Sequence, residues 1–314
     1  MKKLSLIAVL ALFAACTPEQ AQCHVGADCA SGMCRNDGTC VAVEQDSGSS
    51  TEDAGAANDA GNTSDAGEHT VDAGFDGGSN GFCVPTYDGV ITAAELPLRA
   101  GLRGTFRVAT NVDVNTAGST LADGGRSWSY EGSYSGDADA LWETKPVAGQ
   151  WFADDFPDAG YVTQLASSSD LLGVFQSTPD ALLLVGVVSP TNSGLYTNLK
   201  YDPPAKVFSL PLSSGKSWQS SSTVSGIYGG YASYYTEDYS SSVDARGEAK
   251  TPFASFPVLR VRTQLTRTVG GFPTTTKSLA FVTECFGSVA NLSSDPGETQ
   301  AEFTHAAEVR RLAP

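Results

Sequence analysis

The sequence is poor in basic residues and in histidine. Its 314 residues contain 19 Lys and Arg against 35 Asp and Glu, a formal net charge of −16, and only 3 His. Nucleic-acid binding depends on clustered Lys and Arg that contact phosphates, so this balance argues against a nucleic-acid partner. Hydrophobic residues make up 41% of the chain, which is enough apolar material for at least one sizeable core.

The sequence also lacks, near its N-terminus, an apolar run long enough to cross a bilayer. The stretch from Leu4 to Ala15 is apolar except for Ser5 and follows two lysines. As a helix it would be about 18 Å long, against the roughly 30 Å of a bilayer core. A short basic segment followed by a short apolar one is typical of a signal peptide, and we assign residues 1–15 to it.

A cysteine directly follows this segment. The run Leu12-Phe13-Ala14-Ala15-Cys16 resembles the lipobox of exported Gram-negative bacterial lipoproteins, although Phe13 stands where Leu or Val is usual. The resemblance implies that Cys16 is acylated and begins the mature chain, with residues 16–22 as a lipid-anchored tether. Thr17 replaces the Asp that favours inner-membrane retention, which implies an outer-membrane lipoprotein, periplasmic or surface-exposed. An ordinary secretory signal is the alternative.

Four cysteines lie close together in residues 23–43. So short a segment cannot bury a core, and in an oxidising compartment we predict that two disulfides hold it together, with three pairings open. A zinc site with His24 is the alternative, although this cysteine spacing is not the usual one for zinc. The segment resembles small Cys-rich modules behind lipoboxes and, faintly, Dickkopf N-terminal repeats, which implies a stapled spacer or a weak protein-binding knob. The four are Cys23, Cys29, Cys34 and Cys40.

Residues 44–81 predict a disordered, acidic linker. Asp-Ala-Gly recurs in it, beginning at Asp53, and Phe75 is its only aromatic residue. So little apolar surface cannot offset the entropy of ordering the chain. Spaced aspartates and glycines also occur in calcium-binding repeats, which is the alternative, but the repeat here is irregular.

Residues 82–314 predict an all-β domain. Apolar and polar residues alternate in several runs between Gly, Pro, Ser and Asn clusters, which is typical of antiparallel sheet with one wet face. Ala181 to Val188 predicts a central strand, and residues 300–312 fit a helix or a closing strand. We predict about ten to fourteen strands in an antiparallel meander that forms a barrel or a strongly curved sheet.

Two runs illustrate the alternation. In each run, every second residue belongs to the same face of its strand. In the second run we expect Arg260 and Arg262 on the opposite, solvent-exposed face. The residues that share a face are Phe106, Val108, Thr110 and Val112 in the first run, and Leu259, Val261, Thr263 and Leu265 in the second.

Cys83 and Cys285 are the only cysteines of this domain, so we predict that they pair. The bond would close a loop of about 200 residues, worth roughly 5 kcal/mol in the chain-entropy model. We also expect it to place the first and penultimate strands side by side, as closure of a barrel would require. Free thiols that link to a partner are the alternative.

Part of this domain resembles modules of exported bacterial β-proteins. Leu210 to Trp218 carries the pattern PL..G..W, and Val243 to Val261 carries G...TP...F.VLRV. The resemblance is to DUF3108-like and lipoprotein-carrier-like families. It implies a large curved sheet and an uncharacterised envelope role, without a catalytic motif.

Catalytic motifs are missing from the sequence. His305 is the only His of residues 82–314, no G-x-S-x-G elbow accompanies it, and we expect it to be half-exposed on the surface. Gly215-Lys216-Ser217 lacks the first Gly of a P-loop, and Ser213 and Lys216 lie around a turn rather than on one helical face. We therefore predict no catalytic residue, no metal and no cofactor.

Two clusters are candidate ligand-binding residues, one acidic and aromatic, the other rich in tyrosine. The acidic cluster fits a glycosidase pair, a calcium loop or a surface turn, and the tyrosines could stack on sugars, anchor a protein or pack in the core. The candidates are Trp151, Asp154, Asp155, Tyr228, Tyr231, Tyr234 and Tyr235.

Together these features predict a membrane-anchored envelope lipoprotein. Its β-domain would bind an apolar, glycan or protein ligand or play a structural role. The alternative is a surface carbohydrate-active hydrolase that uses acidic residues around Asp154 and Asp155.

Overall fold

The structure, a computed structural model, describes residues 83–314. The predictions for the signal peptide, Cys16, the four-cysteine module and the linker lie outside the described residues. Within the described part, no helix has both the length and the apolar character that a membrane span needs.

Sixteen strands and two 3₁₀ turns, Ala93–Glu95 and Ala153–Asp155, make up the described chain. The strands are β1 (Val90–Ile91), β2 (Arg103–Asp113), β3 (Ser119–Thr120), β4 (Arg126–Ser129), β5 (Ala138–Pro146), β6 (Tyr161–Gln164), β7 (Leu172–Ser177), β8 (Ala181–Val188), β9 (Asn198–Ser209), β10 (Leu212–Ser213), β11 (Ser217–Tyr228), β12 (Tyr231–Lys250), β13 (Ser255–Val269), β14 (Phe272–Thr283), β15 (Gly287–Ser293) and β16 (His305–Leu312).

Twelve of these strands form a closed antiparallel barrel, which confirms the all-β prediction. The ring runs β11-β9-β8-β7-β6-β5-β2-β16-β15-β14-β13-β12 and closes where β12 pairs with β11. The predicted central strand is β8. Residues 300–312, which fit either a helix or a closing strand, contain the strand β16, paired with β2. The four short strands lie outside the ring: β1 pairs with β10, and the β3–β4 hairpin extends the sheet beside β12.

The two ends of the barrel differ. The turns β8–β9, β11–β12 and β13–β14 lie at one end, which we call the mouth. At the other end, the base, Cys83 is disulfide-bonded to Cys285 in the β14–β15 turn. Ile91 and Leu96 close the base by packing with Leu212 into the core that fills the lower interior.

The cysteine pairing was predicted correctly, but its expected role in closure was wrong. Cys83 precedes the first strand and Cys285 sits in a turn, where its N–H donates to the Glu95 carbonyl at 2.7 Å. The bond therefore fastens the segment that plugs the base. The ring itself is closed by the β11–β12 hairpin and by the pairing of β2 with the last strand.

The expectation of a wet outer face was wrong at Arg260. Along β13 the alternation holds, but Arg260 is only 3% exposed because the segments 114–134 and 294–304 cover this part of the outer wall. Its guanidinium pairs with Asp244 and Glu302, both at 2.8 Å, and stacks 5.2 Å from the Trp128 ring. A covered outer face can hold a cation only with such partners.

The expected common face of β2 was wrong at its last member. Val108 faces the barrel interior with Thr110, whereas Val112 joins the outer core with Ala109. Asn111 between them has φ 56°, a left-handed conformation that Asn tolerates better than most residues. This single residue shifts the alternation by one position.

A candidate ligand site at the mouth of the barrel

An apolar lip surrounds part of the mouth. Along β11 to β14, residues at every second position face the interior, and these inward rows continue past the rim of the sheet. Their last members are large apolar side chains that remain more than half exposed. With Leu195 of the β8–β9 loop they form the lip, whose members are Leu195 (73% exposed), Tyr228 (55%), Tyr231 (74%), Val269 (52%) and Phe272 (79%).

The β11–β12 turn fixes the position of this lip. Gly230 has φ 84°, which favours glycine, and a Cβ there would lie 2.7 Å from Leu195 Cδ2, so a larger residue would displace the Leu195 side chain. Its N–H donates to the Tyr196 carbonyl at 2.9 Å, and the Gly229 N–H donates to Thr197 Oγ1 at 3.1 Å. The two tips are therefore held together as one edge.

A cluster of phenols around an ion pair lies directly below the lip. Glu237 is fully buried, and Arg267 Nε donates to its Oε1 at 2.8 Å, while Nη2 forms an ion pair with the same oxygen at 2.7 Å. Tyr239 also donates its O–H to Glu237, and the Arg267 guanidinium stacks 5.0 Å from the Tyr235 ring. Tyr201 on β9 completes this phenol–acid cluster.

The electrostatics of the cluster keep its phenols neutral and its arginine charged. Burial raises the pKa of Tyr201, Tyr235 and Tyr239, and the Glu237 carboxylate raises each pKa further. Burial alone would lower the pKa of Arg267, but the charge of Glu237 outweighs it and the pKa is raised. The mouth thus offers hydrogen-bond donors without a free negative charge.

A row of small hydroxyls crosses the interior between this cluster and the base. Consecutive strands place these groups opposite one another, and Ser241 Oγ and Thr263 Oγ1 are hydrogen-bonded at 2.9 Å. Several of these inward side chains are half-buried although they face the inside of a closed barrel, so they border space that water can reach. The row consists of Thr110, Ser293, Ser278, Thr263 and Ser241, with Glu308 between the first two.

The structure divides the predicted tyrosines among three environments. Tyr228 and Tyr231 belong to the lip, and Tyr235 belongs to the phenol–acid cluster. Tyr234 is 70% exposed but lies on the outward row, paired with Ser225. Strand alternation thus separates side chains that the sequence places next to one another.

Trp151 lies on the outer wall and supports the lip from behind. Its ring packs edge-on against Phe152 and Tyr196, with centroid distances of 5.4 and 5.5 Å, and its Nε1 donates to the Ser189 carbonyl at 3.0 Å. Ser189 and Tyr196 are the two ends of the loop that carries Leu195. Trp151 is therefore a positioning residue and not a lining residue of the mouth.

Asp155, one of the two acidic candidates, is held in polar contacts with β9. Asp155 accepts from Lys200 Nζ and from Asn198 Nδ2, both at 2.7 Å, while Asp154 is exposed beside it on the same 3₁₀ turn. The Lys200 hydrogen bond, with that of Asn198, lowers the pKa of Asp155. A glycosidase acid needs a raised pKa, so this geometry gives the hydrolase hypothesis no support.

Two other features of the described residues carry no site. A cleft of about 580 Å³ on the outer wall includes Lys277, but its ammonium already donates to the carbonyls of Thr299 and Gln300 at 2.5 and 2.9 Å. His305 is half-exposed, as predicted, and contacts Asp113 and Asn111 at 3.0 Å each. Nowhere in residues 83–314 do three His, Cys, Asp or Glu side chains form a group that could hold a metal ion.

Sequence reasoning missed the charged residues of the interior. Glu237 and Arg267 occupy inward positions of strands, where a charge is unusual and requires a partner. The alternation Tyr235, Glu237, Tyr239 was visible in the sequence and is the signal that could have located the cluster.

Comparison of the chain with protein-family models, with curated proteins and with solved structures finds no match in any of the three.

Proposed function

We propose that this chain is a lipid-anchored envelope protein whose barrel binds a small apolar ligand through its mouth. The lip is the observation that carries the proposal. Large apolar side chains on monomeric surfaces are usually scattered, whereas here five of them lie on the hairpin tips and the loop at one end of the barrel. Four of them sit on inward rows, which suits a ligand that enters the barrel better than a sugar or protein lying on a flat face.

The position of the mouth agrees with a tethered protein. The described chain begins at the base, where Cys83 is bonded to Cys285, so the mouth points away from the point at which a tether would join the domain. The acidic segment 17–81, with 12 Asp and Glu and one Arg, supports a solvated stalk between membrane and barrel. The lipobox-like Cys16 and Thr17 support an outer-membrane anchor.

Substitution of the lip tests the binding proposal. We expect the purified protein to bind N-phenyl-1-naphthylamine, a neutral apolar fluorophore. Tyr231→Ser with Phe272→Ser should weaken this binding by roughly thirtyfold, since each of the two aromatic contacts contributes on the order of 1 kcal/mol. Leu141→Ser on the outer wall, where Leu141 is 55% exposed, is the matched control and should leave the affinity unchanged. An affinity that is unchanged in the lip variant would contradict the proposal.

The anchor is tested separately by mass spectrometry of the protein extracted from the envelope. We expect a mature chain that begins at Cys16 and carries the mass of acyl chains. A mature chain with an unmodified Cys16 would remove the anchor from the proposal and leave the mouth as it is.

A further inference from the structure

Two adjacent arginines of β16 point to opposite faces of the sheet and differ in their hydrogen-bond partners. Arg311 points into the outer core, where Nη1 donates to the Gly132 carbonyl at 2.7 Å and to the Tyr130 carbonyl at 3.2 Å, and Nη2 donates to Asp137; only its Nε lacks a partner. Arg310 points into the barrel. Its Nε and Nη1 are both buried and donate no hydrogen bond.

Arg310 packs against aromatic rings and has no charged cross-strand neighbour. The guanidinium stacks 4.4 Å from the Trp142 ring and 5.7 Å from the Phe106 ring. Its cross-strand neighbours, Val108 and Asn291, are uncharged. No ion pair of Arg310 occurs among residues 83–314.

The nearest acid on the same strand is committed elsewhere. Glu308 accepts hydrogen bonds from the N–H and the hydroxyl of Ser167, at 2.8 and 2.5 Å. These bonds hold the β6–β7 loop against β16. Burial lowers the pKa of Arg310, and Glu308 offsets this only in part. A guanidinium whose Nε and Nη1 are buried and unpaired is unfavourable, and an acidic ligand would satisfy these donors.

We propose that the barrel interior is a site for an acidic amphiphile, whose acidic group pairs with Arg310 and whose apolar chain extends toward the lip. This inference rests on the proposed function and names its ligand class. The hydroxyl row lies next to Arg310, and the phenol–acid cluster lies between this row and the lip. The acidic group would therefore meet hydrogen-bonding side chains, and the far end of the apolar chain would point to the lip. Charge-assisted hydrogen bonds to the guanidinium would give the acid its preference over a neutral analogue.

Displacement of the neutral fluorophore by matched competitors tests the site. Dodecanoate and dodecanol share a chain length and differ in charge, and acetate has the charge without the chain. With the wild-type protein we expect dodecanoate to act at a concentration at least about tenfold lower than dodecanol, and acetate to have no effect. In Arg310→Met the two long competitors should act at equal concentration, and in Arg310→Lys the preference for the acid should persist.

Stability provides a second readout and a control. Arg310→Met removes an unpartnered charge, so its urea midpoint should equal or exceed that of the wild type, whereas Arg311→Met leaves Asp137 without its partner and should lower the midpoint clearly. If Arg310→Met does not fold, Arg310→Gln gives the same comparison, since it also removes the charge.

The outcomes separate the two proposals. Equal action of dodecanoate and dodecanol on the wild type, or a preference that survives in Arg310→Met, overturns the inference and leaves the proposed function standing. If acetate displaces the fluorophore as effectively as dodecanoate does, the apolar chain is not needed and an amphiphile is not the ligand class. A protein that binds neither the fluorophore nor either long competitor overturns the proposed function itself.

Discussion

At the scale of single residues, the two members of the ion pair inside the barrel, Glu237 and Arg267, are buried to different extents. Glu237 is fully buried, whereas the Arg267 side chain is 48% exposed at the mouth. A partly exposed arginine can be solvated when its partner is removed, but a buried carboxylate cannot. The two members of this ion pair should therefore differ in what their loss costs.

We predict that Arg267→Met destabilises the protein by about 3 kcal/mol and Glu237→Gln by about 1 kcal/mol, because only the first leaves a buried charge without its counter-ion. The double variant should be more stable than Arg267→Met alone. Urea unfolding followed by circular dichroism measures all three. Arg107→Met, which breaks a surface pair with Asp139, is the control and should leave the urea midpoint nearly unchanged. Equal losses for the two single variants would contradict the account.

At the scale of elements, a charged network fastens the β15–β16 connection to β13. Glu302 accepts from Arg260 at 2.8 Å and from Arg262 at 2.5 Å. Burial would raise the pKa of Glu302, but the hydrogen bonds and charges of the two arginines outweigh it and lower the pKa. A carboxyl whose pKa is lower in the folded state stabilises that state above its unfolded pKa, about 4.3, and this contribution disappears as the pH falls through the folded value.

We predict that Glu302→Gln lowers the urea midpoint at pH 7 and reduces the further loss that the wild type shows on acidification below pH 4. Denaturant titrations of both proteins at pH 7 and pH 3 measure this. Glu131→Gln, at an exposed position, should change neither value. The account fails if Glu302→Gln keeps the full acid sensitivity of the wild type.

The hairpin tips can be compared directly, since two of them contain a glycine of similar backbone conformation. Gly230 and Gly271 have φ 84° and 88°, but only at Gly230 would a Cβ collide, with Leu195. Both Gly→Ala substitutions should cost about 1 kcal/mol of backbone strain. Only Gly230→Ala should also weaken fluorophore binding, because it displaces part of the lip. Similar binding by both variants would show that the Leu195 contact has no role at the mouth.

Much of the element layout could be predicted from the sequence, and the reasons for the exceptions are local. Alternation in β13 and the unbroken apolar run of β8 identified strands, because side chains on opposite faces of a sheet meet different surroundings. The shift at Asn111 depends on one left-handed residue, and the burial of Arg260 depends on distant segments that cover the outer wall. Neither leaves a periodic signal.

At the scale of the whole molecule, the site was predictable only in part. Tyr228, Tyr231 and Tyr235 were candidates from the sequence, but their grouping with Phe272 and Arg267 requires the ring of strands. Arg310 carried no signal at all, because its neighbour Arg311 has the same side chain and a structural role. Closure of the barrel, which no local pattern encodes, decides which of the two arginines faces the interior.

The Cys83–Cys285 bond gives a prediction at this scale, because it joins residues 202 apart and fastens the plug of the base. In the chain-entropy model a loop of this length is worth about 5 kcal/mol, so Cys83→Ser with Cys285→Ser should lower the urea midpoint strongly. Ligand binding at the distant mouth should persist at low denaturant. A double variant as stable as the wild type would show that the base does not depend on the bond.

Native mass spectrometry of the full chain with Cys16→Ser, exported and purified without detergent, shows directly whether the barrel binds a small ligand that enters through its mouth. We predict a protein that retains a non-covalent acidic amphiphile, loses it when Tyr231→Ser and Phe272→Ser are introduced, and keeps it with Leu141→Ser. Two results would contradict this prediction. One is a bound molecule that remains in the Tyr231→Ser and Phe272→Ser variant, and the other is a protein that holds no molecule and also fails to take up dodecanoate.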